Sequence, residues 1–133
     1  MLKMDAVYMT FRKYSKMVYK EMNQKLEPYN ISSQHGNYLI ALMQNDGMTI
    51  KQLNEAVEND GAITTRVLKK LSDQSLVAIV AKSARVSIVT LTKSGKKLGR
   101  TLMATLGATR RKIFSKLNPI ELMQLQKIYK KIA

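Results

Sequence analysis

Residues 49–95 of the chain, TIKQLNEAVENDGAITTRVLKKLSDQSLVAIVAKSARVSIVTLTKSG, are its most informative stretch. Two short helical patterns separated by a turn come first, two β-branched runs separated by a short basic turn follow, and a further helix begins at the end. This order is typical of a helix-turn-helix followed by a two-stranded ribbon. Such a module is able to offer one helix to a DNA major groove and a basic loop to the backbone or minor groove.

Capping residues and turns mark the helices of this stretch. Thr49 and Gln52 have the spacing of a capping box, and residues 59–61, Asn-Asp-Gly, predict the turn to the next helix. The spacing along that next helix predicts one buried side, formed by Thr64, Val67, Leu68 and Leu71. The opposite side then faces outward and carries Ala62, Thr65, Arg66 and Lys69.

The rest of the chain predicts amphipathic helices on either side of this module. An apolar stripe at helical spacing runs from Met4 to Leu26, and Ser32 is a natural N-cap for a second helix. Thr92 caps a long helix that has Gly99 and Gly107 in its interior, and Asn118 caps the last one. The fold class is therefore mainly α with a small β-hairpin wing, a winged helix-turn-helix module between long terminal helices.

The chain of 133 residues is long enough for one domain, residues 1–133. A compact module of residues 31–95 has too little surface to cover the apolar stripes of the helices in residues 1–30 and 96–133. We therefore expect those terminal helices to pack against a second copy of the chain in a homodimer. The residues predicted for this interface are Val7, Phe11, Leu117, Leu122, Leu125 and Ile128.

The charge of the chain is strongly positive and unevenly spread. The formal net charge is +14, and residues 93–133 hold eleven Lys and Arg against the single Glu121. Nucleic acid is the commonest polyanionic partner for such a chain, although a solvated, soluble helix surface has the same composition.

The composition also limits the chemistry and the compartment. The chain has no Cys, so disulfides, thiol redox sensing and Cys-based zinc sites are excluded. His35 is the only histidine and no carboxylates cluster, so we expect no enzymatic activity, metal or cofactor, and a structural hydrogen bond for His35. No uncharged apolar run approaches the ~18 residues of a membrane span, and we expect a cytoplasmic protein with no membrane partner.

Several residues have the chemistry and the predicted position to contact DNA. Arg66 is able to bond a guanine edge with two donors, Thr65 is able to bond an edge or pack on a thymine methyl, and Ala62 permits close approach. The other predicted contacts are to phosphates or to the minor groove, from the start of the third helix, from the fourth helix and from the wing: Thr49, Lys51, Lys69, Lys70, Lys82, Ser83 and Arg85.

With these residues laid out, the chain resembles the MarR family of bacterial winged-helix transcription regulators over nearly its whole length. The resemblance rests on Ile31-Ser32 with His35, Thr49-Ile50-Lys51-Gln52-Leu53, Ile63-Thr64-Thr65-Arg66-Val67 with Leu71, Leu76-Val77, and Leu91-Thr92-Lys93-Ser94-Gly95. It implies a dimer formed through the terminal helices that binds pseudo-palindromic operators. Many members lose DNA affinity when a small aromatic or lipophilic molecule binds between the two regions.

The chain departs from the family pattern in its wing and at His35. The usual wing signature is Asp-x-Arg, whereas Ser83-Ala84-Arg85 retains only the Arg, and the wing is about two residues short. The absent Asp normally helps to hold the shape of the wing. His35 stands where Gln is frequent.

Two functions therefore remain open on the sequence. The first is a dimeric, sequence-specific regulator of transcription that binds double-stranded DNA, more readily a repressor than an activator because occluding a promoter needs no further contacts. A small-molecule effector is possible, since the chain's nine Met residues are able to line an adaptable apolar pocket. The second is a winged-helix module that binds an acidic protein and has only nonspecific DNA affinity.

Overall fold

The computed structural model describes residues 3–133, which form six α-helices, a short 3-10 helix and a three-stranded antiparallel sheet. The helices are α1 (Lys3–Leu26), α2 (Ser33–Gln44), α3 (Ile50–Val57), α4 (Gly61–Asp73), α5 (Lys93–Phe114) and α6 (Pro119–Ile132), with the 3-10 helix at Glu27–Tyr29. The strands are β1 (Met48–Thr49), β2 (Val77–Ala81) and β3 (Ser87–Leu91). The predicted fold class is confirmed. Met1 and Leu2, which the predicted domain includes, lie outside the described residues.

The sheet has the order β1-β3-β2, so the predicted hairpin of β2 and β3 gains a third strand. In β1, Met48 pairs with Val89 and Thr49 pairs with Ile88. A strand of two residues is too short to show alternation in the sequence, and we did not predict it. This pairing fixes the start of α3 against the wing.

The predicted helix starts are confirmed by their capping hydrogen bonds. The Gln52 amide donates to Thr49 Oγ1 at 3.1 Å, and the Thr49 amide donates to Gln52 Oε1 at 2.9 Å. In the same way, Thr92 accepts from the Gly95 amide, and Asn118 accepts from the Glu121 amide. Because these bonds join residues three apart, the sequence alone contains them.

The turn between α3 and α4 differs from the prediction in one respect. Gly61, predicted as a turn residue, is the first residue of α4, because Asp60 caps this helix by accepting from the Ile63 amide at 2.9 Å. The left-handed conformation that ends α3 belongs to Glu58, with φ 56°.

A buried polar network holds α2, α3 and α4 together. Thr64 is fully buried, and its hydroxyl donates to Asn54 Oδ1. The Tyr38 hydroxyl lies 2.9 Å from Thr64 Oγ1 and accepts from Asn59 Nδ2 at 3.1 Å. Because the single Thr64 hydrogen goes to Asn54, Tyr38 is the donor to Thr64. The core around this network is apolar and includes Leu39, Leu42, Leu53, Leu68 and Leu71.

Two glycines inside α5 are explained by close packing. A Cβ at Gly95 would collide with the backbone carbonyl oxygen of Leu76, and a Cβ at Gly99 would lie 2.5 Å from Met43 Cγ and Sδ. The helix is also continuous through Gly99 and Gly107, the two interior glycines considered in the sequence analysis, as predicted. The contacts at Gly95 and Gly99 bring α5 against the winged module.

The terminal helices are much less buried than the module. The first buried residue of α1 is Met22, and among the described residues of α6 none is buried. The rings of Phe11 and Tyr129 pack with centroids 5.7 Å apart, and so join α1 to α6. Within residues 3–133, no helix combines the length and the apolarity needed to cross a bilayer.

Candidate nucleic-acid interface

The exposed side of α4 is the one predicted from helical spacing. Thr64, Val67, Leu68 and Leu71 are buried, so the helix has a single possible outward side. This outward side carries Ala62, Thr65, Arg66 and Lys69, all of which are exposed. The structure thus brings together four of the predicted DNA-contact residues.

Thr65 and Arg66 offer different chemistry on this surface. The Thr65 hydroxyl donates to the Gly61 carbonyl at 2.8 Å, so what it presents outward is acceptor lone pairs and a methyl group. Arg66 forms no ion pair with another residue of the described chain, so its guanidinium donors are available. A hydroxyl acceptor is able to bind the amino group of adenine or cytosine, and a methyl group is able to pack on the thymine methyl. A guanidinium instead binds the two acceptors on the guanine edge.

Lys69 and Lys70 have different surroundings. Lys69 Nζ lies 3.4 Å from Asp73 Oδ2, an exposed pair in which each side chain remains solvated and the attraction is weak. Lys70 is half-buried and lies with Lys16, Lys20 and His35 in a separate concavity between α1, α2 and α4. The structure therefore groups Lys69 with Arg66, and Lys70 with the start of α2.

A groove joins the start of α3, the start of α4 and the wing. It has a volume of about 770 Å³, and it brings Thr49 and Lys51 together with Gly61 and Arg85. Arg85 is distant in the chain from the other three, and the β1–β3 pairing is what places the start of α3 beside the wing. The groove combines a helix N-terminus with two cationic side chains, which is favourable for a phosphate.

The wing loop is closed by its own backbone. The amides of Lys82 and Ser83 both donate to the Val86 carbonyl, at 2.7 Å and 3.1 Å. Lys82, Ser83 and Arg85 are all exposed. The loop therefore keeps a defined turn without the Asp side chain of the usual wing signature.

Sequence reasoning missed several residues of this region. Asn54, Glu55 and Ser87 also line the groove, and Glu55 is its one acidic side chain among the described residues. Asp46 Oδ1 accepts from the Leu91 amide at 2.9 Å, and so anchors the end of β3 to the turn after α2. No local pattern in the sequence points to this long-range bond.

His35 has the structural role predicted for it. The Ser32 amide donates to His35 Nδ1 at 3.2 Å, so the imidazole caps the start of α2. Desolvation by burial, and then the nearby Lys70 charge, lower the pKa of His35 below its ordinary value. Among residues 3–133, no group of His, Cys, Asp and Glu side chains has the arrangement of a metal site.

A second, more apolar cavity lies between α1, α2, α5 and α6. Its volume is about 810 Å³. Arg110 and Asn37 contribute polar groups to an otherwise largely apolar lining that includes Phe11, Tyr14, Val18, Met22, Leu106 and Phe114. Four of the six residues predicted for the dimer interface also line this cavity: Leu117 and Leu125 are half-buried there, and Val7 and Phe11 are exposed. The size and lining suit a small lipophilic molecule.

The comparison with solved structures connects this architecture to a group of known regulators. The chain superposes on the MepR–DNA complex of Staphylococcus aureus with a TM-score of 0.81 and 26% identity, over 92% of each chain. It is also similar to a MarR transcriptional regulator from Methanosarcina mazei, at 21% identity over 98% of this chain and 94% of that one, with a TM-score of 0.79. No protein-family profile and no curated protein matches the sequence.

A third similar structure is AbsC, a MarR-family transcriptional regulator from Streptomyces coelicolor. It matches at 19% identity over 99% of this chain and 93% of that one, with a TM-score of 0.79. These structures are of transcriptional regulators and not of enzymes, in agreement with the expectation drawn from the composition.

Proposed function

We propose that this chain, a winged-helix regulator of the MarR type, functions as a homodimeric repressor that binds a pseudo-palindromic DNA operator. The observation that carries the proposal is the outward side of α4, where Thr65 and Arg66 are exposed above a fully packed inner side. A threonine and an arginine on the outward side of such a helix have the chemistry to read base edges in a major groove, which supports the proposal. A regulator of this kind acts in the cytoplasm.

The likeness to MepR supports a DNA-binding conformation of the chain. The TM-score is 0.81 for the MepR–DNA complex and 0.77 for MepR described as being in the DNA-binding conformation. It is 0.67 for a further MepR structure at a similar identity of 25%. The arrangement of helices in this chain therefore resembles the first two MepR structures more than the third.

The α3–wing groove supplies the contacts that orient the protein without reading the sequence. The N-terminus of α3, together with Lys51, favours a phosphate, while Lys82 and Arg85 extend from the exposed wing loop. Arg85 is suited to a narrow minor groove beside the site that α4 reads. Thr49, Ser83, Lys69 and Lys70 complete the predicted backbone contacts.

The bare apolar surface of the terminal helices supports the homodimer. Val7, Phe11, Leu122 and Ile128 are 55%, 39%, 38% and 51% exposed in the single chain. Exposed apolar residues arranged along two helices are typical of a subunit interface. A two-fold dimer presents two α4 helices to half-sites about one helical turn, ~10 bp, apart.

The cavity between the terminal helices and α2 supports release by a small lipophilic effector. This cavity borders α1, α5 and α6, the predicted dimer region, and α2, which belongs to the winged module. The two winged modules of the proposed dimer are able to adopt two different spacings. A molecule that binds the cavity more tightly at one spacing shifts the population of dimers toward that spacing.

A repressor is proposed and not an activator, because occupation of a promoter alone blocks transcription and no activating contact is needed.

The decisive experiment compares Arg66→Ala with Lys69→Ala after operator fragments have been selected from genomic DNA. Arg66→Ala should lose about 1–3 kcal/mol of operator binding and relax the preference at one base position. Lys69→Ala removes the same charge from the same helix, and should weaken operator and random DNA alike and reduce the salt slope by about one. An unchanged ratio of operator to random binding in Arg66→Ala would remove the base-reading role.

A second variant tests the wing. Arg85→Ala should weaken binding chiefly at operators with A·T-rich flanks, since only these have the narrow minor groove that attracts an arginine. Equal losses at all flanking sequences would assign Arg85 to the phosphate backbone instead.

A further inference from the structure

The outer face of α5 carries a row of cations that the proposed operator contacts do not use. Lys93, Lys97, Arg100 and Arg111 lie at helical spacing on one side of the helix, and all four are exposed in the single chain. None of them is among the residues proposed for the dimer interface. The exposed Ala104 and Ala108 lie between Arg100 and Arg111 on the same side. We call these six residues the α5 stripe.

The charge of the α5 stripe is not compensated by the protein. Residues 93–120 contain no Asp or Glu, and the one ion pair among the described residues lies within α4. The first turn of α5 has no acidic residue, although it includes Lys93 and Lys96. A cation at a helix N-terminus opposes the helix dipole, so helix stability does not account for Lys93, whereas Arg111 in the last turn is favoured by the dipole.

The chemistry between the charges indicates what the stripe binds. None of the large hydrophobic side chains on the described α5 is exposed, so the stripe lacks the apolar anchors on which protein interfaces depend. It also lacks the apolar face with which an amphipathic helix enters a membrane surface. Alanines between cations instead allow a phosphate backbone to approach closely, and a phosphate backbone requires only positive charge and hydrogen-bond donors.

The α5 stripe is separate from the proposed operator surface. The whole of β3, an extended strand of five residues about 17 Å long, lies between the wing loop and the start of α5. From Lys93 to Arg111 the stripe extends over about 27 Å of helix, comparable to roughly eight steps of a duplex. Its size therefore suits a length of nucleic acid and exceeds that of a single small anion.

We propose that the α5 stripe is a second DNA-binding surface, which holds the phosphate backbone of DNA outside the operator without reading its sequence. Its contribution is electrostatic, so it acts equally on all sequences and weakens steeply with salt. The inference goes beyond the proposed function, because it assigns the basic residues of α5 to DNA that α4 does not contact.

The test uses the full-length triple variant Lys93→Gln, Lys97→Gln, Arg100→Gln and a random-sequence duplex. The slope of log Kobs against log[salt] should fall by about two to three, since each phosphate contact contributes about 0.9. A matched control, Lys13→Gln, Lys25→Gln, Lys130→Gln, removes three exposed cations elsewhere. This control should change the slope by less than one. Equal changes in the two triple variants would overturn the proposal, because net charge alone would then explain the binding.

Two further arms identify the occupant. A duplex that contains only the operator should bind the triple variant and the wild type with equal affinity. Long flanks on the operator should increase the affinity of the wild type but not that of the triple variant. Polyglutamate of equal charge should compete poorly with DNA for the wild type. Efficient competition by polyglutamate would overturn the proposal in favour of an acidic protein partner.

The variant Arg66→Ala separates this inference from the proposed function. In Arg66→Ala the operator preference should fall while the salt slope on random DNA stays within about one of the wild type. If the triple variant left the salt slope unchanged while the operator preference was intact, the α5 stripe would be refuted and the proposed function would not. If Arg66→Ala lost the operator preference while the triple variant still lowered the salt slope, the α5 stripe would stand.

Discussion

The winged module and the terminal helices differ in how much of themselves they bury. In α4, four of 13 residues are buried, whereas in α6, of nearly the same length, none of its 14 described residues is. Both helices have apolar residues at helical spacing. An apolar stripe therefore identifies a helix, but not the surface that covers it.

The reason is where each stripe finds its partner. The stripe of α4 packs against α2, α3 and β2, which the same chain supplies. The stripes of α1 and α6 meet each other mainly at the Phe11–Tyr129 ring contact and leave Val7, Leu122 and Ile128 largely exposed. The module is therefore complete in one chain, and the terminal helices require a second copy under the proposed function.

The largest effect is expected from breaking the terminal helices. The double variant Leu122→Asp, Ile128→Asp places charges on the proposed interface and should convert the dimer to a monomer in sedimentation velocity. Operator affinity should fall by at least about 100-fold, since a monomer engages one half-site and loses the gain from linked binding. The far-ultraviolet circular dichroism spectrum of the variant should remain that of a helical protein, because the winged module stays folded.

The conservative pair Leu122→Met, Ile128→Leu is the control for that variant. It retains apolar volume and should remain dimeric with nearly unchanged operator affinity. A dimeric aspartate variant would show that α6 does not contribute to the interface.

The next effect concerns how tightly α5 packs on the winged module. Gly95→Ala should destabilise the protein by about 1–3 kcal/mol or more, because the added methyl meets the Leu76 carbonyl, which is backbone and cannot rotate away. Gly107→Ala in the same helix should stabilise it by about 0.5–1 kcal/mol, since the nearest atoms to its Cβ lie at 3.7 Å. Urea unfolding at one fixed protein concentration measures both. The two substitutions should change the free energy of unfolding with opposite signs. A Gly95→Ala protein as stable as the wild type would contradict the close contact of residue 95 with the Leu76 carbonyl.

The neighbours Thr64 and Thr65 test the inner and outer sides of α4. Thr64→Val removes the centre of the buried network and leaves Tyr38 and Asn54 without their partner, at a cost of about 1–3 kcal/mol. Thr65→Val alters an exposed hydroxyl and should change the free energy of unfolding by no more than about 0.5 kcal/mol. In operator binding, Thr65→Val should have the larger effect of the two substitutions, because only Thr65 is proposed to contact a base. Equal unfolding costs would show that the network contributes nothing.

The smallest effect is a pH dependence located at the start of α2. Because the pKa of His35 is lowered in the folded protein, the unfolded chain binds more protons once the pH falls below its ordinary value of 6.5. The contribution of His35 is therefore fully present above pH 6.5 and is lost as the pH falls toward the folded pKa. His35→Gln keeps a side-chain acceptor for the Ser32 amide and should remove this part of the pH dependence.

Lys70→Gln sharpens the same test. It removes the nearby charge but not the burial that is the larger cause of the lowered pKa, so it should reduce the pH dependence only in part. An identical pH profile for the wild type and His35→Gln would contradict the assignment.

Much of the fold was predictable because its signals are local. The caps at Thr49, Thr92 and Asn118 join residues three apart, and the buried side of α4 repeats at helical spacing. The outward positions of Thr65 and Arg66 follow from that spacing alone. Their base-reading role remains a proposal.

The parts that were not predictable depend on partners distant in the chain. The pairing of Thr49 with Ile88 creates β1, and the bond from the Leu91 amide to Asp46 anchors the sheet. Lys70 was predicted beside the other DNA contacts, yet its half-buried position next to His35 depends on how α4 meets α2. No periodicity in the sequence contains these distances.

Where the helices begin, which side of α4 is apolar and how basic the chain is can all be deduced from the amino-acid order, because caps, periodicity and composition are properties of neighbouring residues. The position of the start of α3 beside Arg85, the contact of Gly95 with the Leu76 carbonyl and the exposure of the α5 cations cannot be deduced in this way. Burial and proximity are set by the packing of segments distant in the chain.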